Sequence, residues 1–255
     1  MKLFHIPVTV IATIIFFCSV AFSQKLPSVQ KEPMKAPAVV KIDGVPSEWD
    51  DAFKANNNAT DFKYLMANDK ENLYIVIQAD YPVAIQKILT AGIVFTFTGT
   101  DKKTQATLTY PIVPVENFMG ATASTLKNPQ TTSKEINGLN DRANHIKEIP
   151  VSGMDGITDA TISPYNEMGI KAAQHISDTK LYTIEIALPL KYLKKVLNGG
   201  DTFAYKMLVN SMEANGSKVV GGHPVGETDQ PLAARGGMEY FISPTYLNAG
   251  YTLFK

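Results

Sequence analysis

Nine consecutive residues, Lys41-Ile42-Asp43-Gly44-Val45-Pro46-Ser47-Glu48-Trp49, constrain this chain more than any other stretch. They set the only tryptophan beside a tight-turn signal and directly ahead of a long series of short apolar segments. Asp-Gly breaks a strand because glycine takes a positive φ at no steric cost and aspartate bonds nearby backbone N–H groups. An indole placed at this first turn predicts a folded body that opens near residue 38 and is built from strands around a core that takes in Trp49.

The segments that follow fit that expectation. Val39-Val40-Lys41-Ile42 reads as a short opening strand, and Phe62 to Ala67 as the next. The polar turn Asn68-Asp69-Lys70-Glu71-Asn72 joins the latter to Leu73 to Ala79, so the pair reads as a hairpin. Leu73 to Ala79 is apolar on both faces, as in a central strand covered on both sides. Ile93 to Thr98 is rich in β-branched and aromatic residues, and Thr107 to Pro111 can pair with it. Ile157 to Ile162, Gly169 to Ile176, Leu181 to Leu188, Phe203 to Met212 and Met238 to Ile242 complete the strands.

In the Leu181 to Leu188 strand, Tyr182, Ile184, Ile186 and Leu188 share one face, while Thr183 and Glu185 share the other, which is expected to face solvent. Pro189 then starts a short helix with Leu190, Leu193 and Leu197 as its apolar stripe, Lys191, Lys194 and Lys195 as a solvated face, and Gly199-Gly200 as its stop. The predicted fold is all-β: a two-layer antiparallel sandwich, jelly-roll-like, with nine or ten strands and one short helix.

Flanking composition sets the expected boundaries. Residues 1–23 read as a signal peptide, with Lys2, an apolar run from Ile6 to Phe17 and small residues at Ala21 and Ser23, and Gln24 as mature start. The apolar run is too short for a membrane span, so the mature protein is expected in the periplasm or outside the cell with no membrane segment. Residues 24–37, rich in Lys, Pro, Ser and Gln, read as a disordered spacer. Residues 38–255 form one sandwich domain with a long insertion at 115–155, either a ligand-facing loop or a mobile insertion. The single cysteine, Cys18, leaves with the signal, so no disulfide supports the fold. With 24 basic and 24 acidic residues, the chain has no overall electrostatic grip on nucleic acid.

Ile42-Asp43-Gly44 with Glu48-Trp49, the Leu73-Tyr74-Ile75 strand ending in Asp80, and Tyr182-Thr183-Ile184-Glu185-Ile186-Ala187-Leu188-Pro189-Leu190 follow one another in an order that resembles the carbohydrate-binding module family 9 group and its DOMON-like relatives. The resemblance runs from about Ala38 to Ile242, apart from 115–155. It implies a secreted β-sandwich that binds sugar without transforming it, and for some members a bound calcium ion. Sugar-binding members hold a pyranose between aromatic rings, whose flat faces pack on C–H groups. Here Trp49 belongs, with Asp43, Gly44 and Glu48, to the structural motif and is expected in the core. Tyr110, Tyr165 and Tyr246, beside proline or in loop sequence, are the candidate ligand platforms.

Other chemistry is thinly represented. No nucleophile elbow, phosphate loop or zinc spacing is present. Asp43 and Asp80 are the candidate calcium ligands, since that ion takes carboxylate and turn-carbonyl oxygens. His223, Glu227 and Asp229 form the one metal-like cluster by spacing. Glu48, Glu185, Asp80 and Glu116 are the carboxylates available to a glycosidase, which needs two across a cleft. A haem role would draw on methionines such as Met66, Met119 and Met207. Three readings follow: a non-catalytic module binding poly- or oligosaccharide with no cofactor beyond calcium, a cell-envelope domain that contacts another protein, and a glycoside hydrolase.

Overall fold

The structure, a computed structural model, describes residues 25–113, 122–211 and 238–255. In chain order its strands are β1 (Ala55–Asn57), β2 (Phe62–Asn68), β3 (Asn72–Ala79), β4 (Ile93–Thr98), β5 (Gln105–Tyr110), β6 (Ile149–Ser152), β7 (Thr161–Ile162), β8 (Lys171–Ile176), β9 (Tyr182–Pro189), β10 (Thr202–Val209) and β11 (Thr245–Thr252). One antiparallel sheet has the order β1-β2-β3-β9-β8, and the other β11-β10-β4-β5-β6-β7. The chain is thus the two-layer all-β sandwich that its alternating segments predict.

The inter-sheet core collects alternate residues from each layer. Leu73, Ile75 and Ile77 of β3 and Ile184, Ile186 and Leu188 of β9 meet Phe95, Phe97 and Met207 from the opposing sheet. Each such side chain contributes about 1.5–3 kcal/mol by leaving water. Tyr64 and Tyr205 cross the gap with their hydroxyls 2.7 Å apart, which satisfies two polar groups that burial would otherwise strand.

Helices are more numerous than the predicted one. They are α1 (Pro82–Ala91), α2 (Thr122–Lys127), α3 (Ser133–Ala143), α4 (Lys194–Leu197) and α5 (Met238–Ile242). The predicted Pro189 corner is present: Leu190–Leu193 forms a 3-10 turn that runs into α4, which ends on the left-handed Asn198 just before Gly199-Gly200. Met238 to Ile242, expected as a strand, is helical. Val39 to Ile42 is not a strand, and the expected strand at 157–162 shrinks to β7. Short apolar runs carry too little periodicity to separate these states.

Two larger corrections follow from packing. Within 115–155, the described part from 122 onward is ordered structure: α2, α3 and β6. Thr132 and Glu135 close a reciprocal capping box, and α3 buries Ile136, Leu139, Asn140 and Ala143 at helical spacing. Residues 25–37 are no disordered spacer but a strap on the outer face of the five-stranded sheet. Gln30, buried, donates through Nε2 to the Met66 carbonyl and accepts the Met66 N–H, each at 2.7–2.8 Å, as a neighbouring strand would. Lys35 bridges Asn68, and Leu26, Met34 and Ala36 pack with Trp49, Phe53, Tyr74 and Val76. A few well-placed apolar groups and one backbone-mimicking amide offset the ordering entropy that composition alone says cannot be met. This outer layer is also why β3 is apolar on both faces.

Candidate ligand-binding cleft

Glu185 organises the outer face. Its side chain points away from the inter-sheet core, as the alternation requires, yet it is fully buried rather than solvated. Its carboxylate accepts three N–H groups: Asp43 at 3.1 Å, Gly44 at 2.8 Å and the Trp49 indole at 3.1 Å. The Asp43–Trp49 turn is therefore bolted to the centre of β9. Burial pushes the Glu185 carboxyl above its ordinary value, against the pull of the N–H donors. Gly44, at φ 83°, lies so close to β8 that a Cβ would come 2.6 Å from the Gln174 carbonyl carbon. Glu48 closes the same turn by accepting the Lys41 N–H at 2.6 Å. Trp49, 1 % exposed and tilted on Tyr74 at 5.9 Å, is core, as expected.

This construction leaves a cleft of about 1110 Å³ beside the turn. Val40 and Ile42 from the segment that leads into the Asp43–Trp49 turn, Ala187 and Pro189 from β9, and Leu190 and Leu197 from the corner form an aliphatic lining. Tyr74 joins it, with its hydroxyl held by Asp69 at 2.8 Å and pushed up to about 12 by burial and that carboxylate. The charged lining residues are Lys41, Lys70, Lys171, Lys191 and Lys194 against Glu71 alone. Met168 and Lys191 also line a second cavity of about 640 Å³ with Thr161, Ser163, Asn166 and Glu167, so the two adjoin.

The candidate tyrosines do not converge. Tyr165, between Ser163 and Asn166 of that second cavity, is 90 % exposed. Tyr110 is buried in the main core, and burial raises its hydroxyl well above the ordinary value, so it is no platform. Tyr246 is half-buried on the other sheet, with the Lys206 ammonium 4.5 Å from its ring centre. The core claimed Tyr110 because β5 alternates inward at that position.

The proposed metal and acid sites fare similarly. The Asp43 carboxylate caps the Val45 N–H at 2.9 Å and pairs with Lys41 at 2.6 Å. Asp80 is exposed beside a separate cavity shared with Asp61. Among the described residues no three His, Cys, Asp or Glu side chains gather as a metal site. Glu185 is consumed by its three donors and offers no face to a substrate, which removes it as a hydrolytic acid. His223, Glu227, Asp229, Glu116 and Met119 lie outside the described residues, as do residues 1–24. Met66 and Met207 are core.

In sequence the cleft lysines carry no mark of a site, and Lys191 and Lys194 read as a solvated helix face. Their spacing of three is the signal that sets them on one side of the corner, whereas Lys195 turns away to Asp155 at 3.5 Å. No helix among the described residues is long and apolar enough to cross a membrane. In comparisons with known proteins, no family model and no curated protein matches this chain.

Proposed function

We propose that this chain is an exported, non-catalytic module that binds an oligo- or polysaccharide in the cleft beside the Asp43–Trp49 turn. One observation carries the reading. The three separated segments on which the family resemblance rests all contribute to the lining: Ile42, Tyr74, and Ala187 with Pro189 and Leu190. A volume near 1110 Å³ is large for a monosaccharide and suits a short run of sugar rings. Apolar lining serves pyranose C–H faces, and the polar residues around Tyr165 in the adjoining cavity serve hydroxyls. Export places the module where polysaccharides are met, with residues 1–23 as its signal.

A glycan array followed by calorimetry on the purified protein tests this. Binding of at least one glycan class that Leu190→Asp abolishes, with the thermal midpoint kept, is the expected result; silence across plant, host and bacterial glycans would sink it. A second reading, contact with an envelope protein, is favoured by Val39, which lines the cleft and is 79 % exposed. Co-purification of one partner from envelope extracts, lost in Val39→Asp, is its expected signature.

A further inference from the structure

Resting on the saccharide reading above, we propose that the ligand is anionic, a polysaccharide whose rings carry carboxylates, held through the lysine rim of the cleft. The whole chain is neutral, with 24 basic and 24 acidic residues. Five lysines against one glutamate in a single cleft is therefore a local property. It does not reflect general basicity.

Pairing sharpens the asymmetry. Lys41 is already engaged by Asp43 at 2.6 Å. Lys70, Lys171, Lys191 and Lys194 are exposed, and none of the four takes part in an ion pair among the described residues. Elsewhere on the surface Lys63, Lys195 and Lys255 each have a carboxylate within 4.0 Å, while Lys134 and Lys206 have none among the described residues, so it is convergence on one cavity that sets the four apart. These four ammonium groups, of which Lys191 lies 4.9 Å from the Tyr192 ring centre, come from four places, the β2–β3 turn, the start of β8, the 3-10 turn and α4, and the fold converges them on one cavity.

The lining gives the second reason. Its apolar residues are aliphatic apart from Tyr74, itself only 7 % exposed. Among the described residues, no pair of open rings is available in the cleft to sandwich a sugar. Aliphatic contact with a pyranose is weak, because the stacking that makes aromatic platforms effective is missing. Affinity must then come from charge, and lysine supplies mobile point charges that suit a carboxylate repeated along a flexible chain. Such contacts act across water and weaken as salt shortens the screening distance.

The probe is a homogalacturonan oligomer compared with its fully methyl-esterified form, which keeps the rings and removes the charge. The expected result is tighter binding of the acid than of the ester. Its Kd should rise at least ~10-fold between about 50 and about 500 mM NaCl. Lys191→Glu with Lys194→Glu should weaken the acid's binding by a further ~10-fold or more. Lys134→Glu with Lys206→Glu, an equal charge change on α3 and on the other sheet, should leave it unchanged.

Equal, salt-insensitive binding of acid and ester would overturn the charge inference and leave the saccharide reading standing. So would binding of some other, neutral glycan alone. An equal loss in the Lys134/Lys206 control would show diffuse attraction and overturn the assignment to the cleft. If no glycan binds, both readings fall; binding to anionic lipid vesicles alone would give the cleft to an amphiphile and overturn both as well.

Discussion

Lys87 offers the sharpest quantitative test of the packing. It lies on α1 with no exposed surface, donates to the Ser243 carbonyl at 2.8 Å and to the Thr245 hydroxyl at 3.4 Å, and sits 4.5 Å from the Tyr240 ring centre. Burial pushes its ammonium down from 10.5 to about 7, against the opposing pull of Asp61. Between those two values the unfolded chain binds a proton that the folded chain does not, so stability rises with pH through this window. At about 1.4 kcal/mol per pH unit, the penalty at low pH approaches ~5 kcal/mol, and about 2 kcal/mol of it is relieved between pH 7 and pH 9.

Lys87→Met keeps the chain length and removes the charge. It leaves the Ser243 carbonyl without its donor, a loss of roughly 1–3 kcal/mol. The net expectation at pH 7 is a variant more stable than wild type by roughly 2 kcal/mol, with that margin shrinking toward pH 9. Urea unfolding followed by Trp49 fluorescence at several pH values measures it. Parallel curves for the two proteins from pH 6 to pH 9 would refute the claim that a desolvated ammonium is held inside this fold.

Other substitutions probe the outer face. Glu185→Ala strands the Asp43 and Gly44 N–H groups and the Trp49 indole N–H, and should cost about 3–5 kcal/mol in chemical denaturation; a loss below ~1 kcal/mol would mean that the turn does not depend on it. Because burial raises the Glu185 carboxyl in the folded state, its contribution falls as pH rises through the ordinary carboxylate value toward the folded one. Glu185→Gln should remove that slope from a pH series of thermal midpoints. Gln30→Ala should lose about 1–3 kcal/mol through its two bonds to Met66, and hydrogen exchange at the Met66 amide should quicken; an unchanged midpoint would return 25–37 to the status of a spacer. Trp49, being core, should show blue-shifted emission that iodide does not quench and that a saturating glycan leaves unaltered, whereas Tyr165→Ala should weaken glycan binding a few-fold.

Local signals and long-range consequences separate clearly in this chain. Asp43-Gly44 fixes a turn because only the glycine tolerates φ 83° so close to β8, and that is written in two adjacent letters. The Pro189 corner with its Leu190, Leu193 and Leu197 stripe is equally local. Helix α1 also carries local marks, Pro82 in its first turn, buried Ile85, Ile88 and Leu89, and Gly92 as its stop.

The alternation of β3 and β9, the turn residues between strands and the lone indole are properties of neighbours along the chain, so the amino-acid order by itself determined an antiparallel sandwich that opens near Trp49. Which polar side chain of an alternating strand meets water is not such a property. Glu185 looked like any solvated residue until a segment some 140 positions earlier was folded over it, and Gln30 looked like linker until Met66 presented a free backbone edge. The lysine rim is the same kind of fact: Lys70, Lys171 and Lys191 are far apart in sequence and share a cleft only because β3, β8 and β9 are neighbours in one sheet. Burial, charge clustering and cavity shape are sums over contacts distant in sequence, and only the tertiary structure performs that sum.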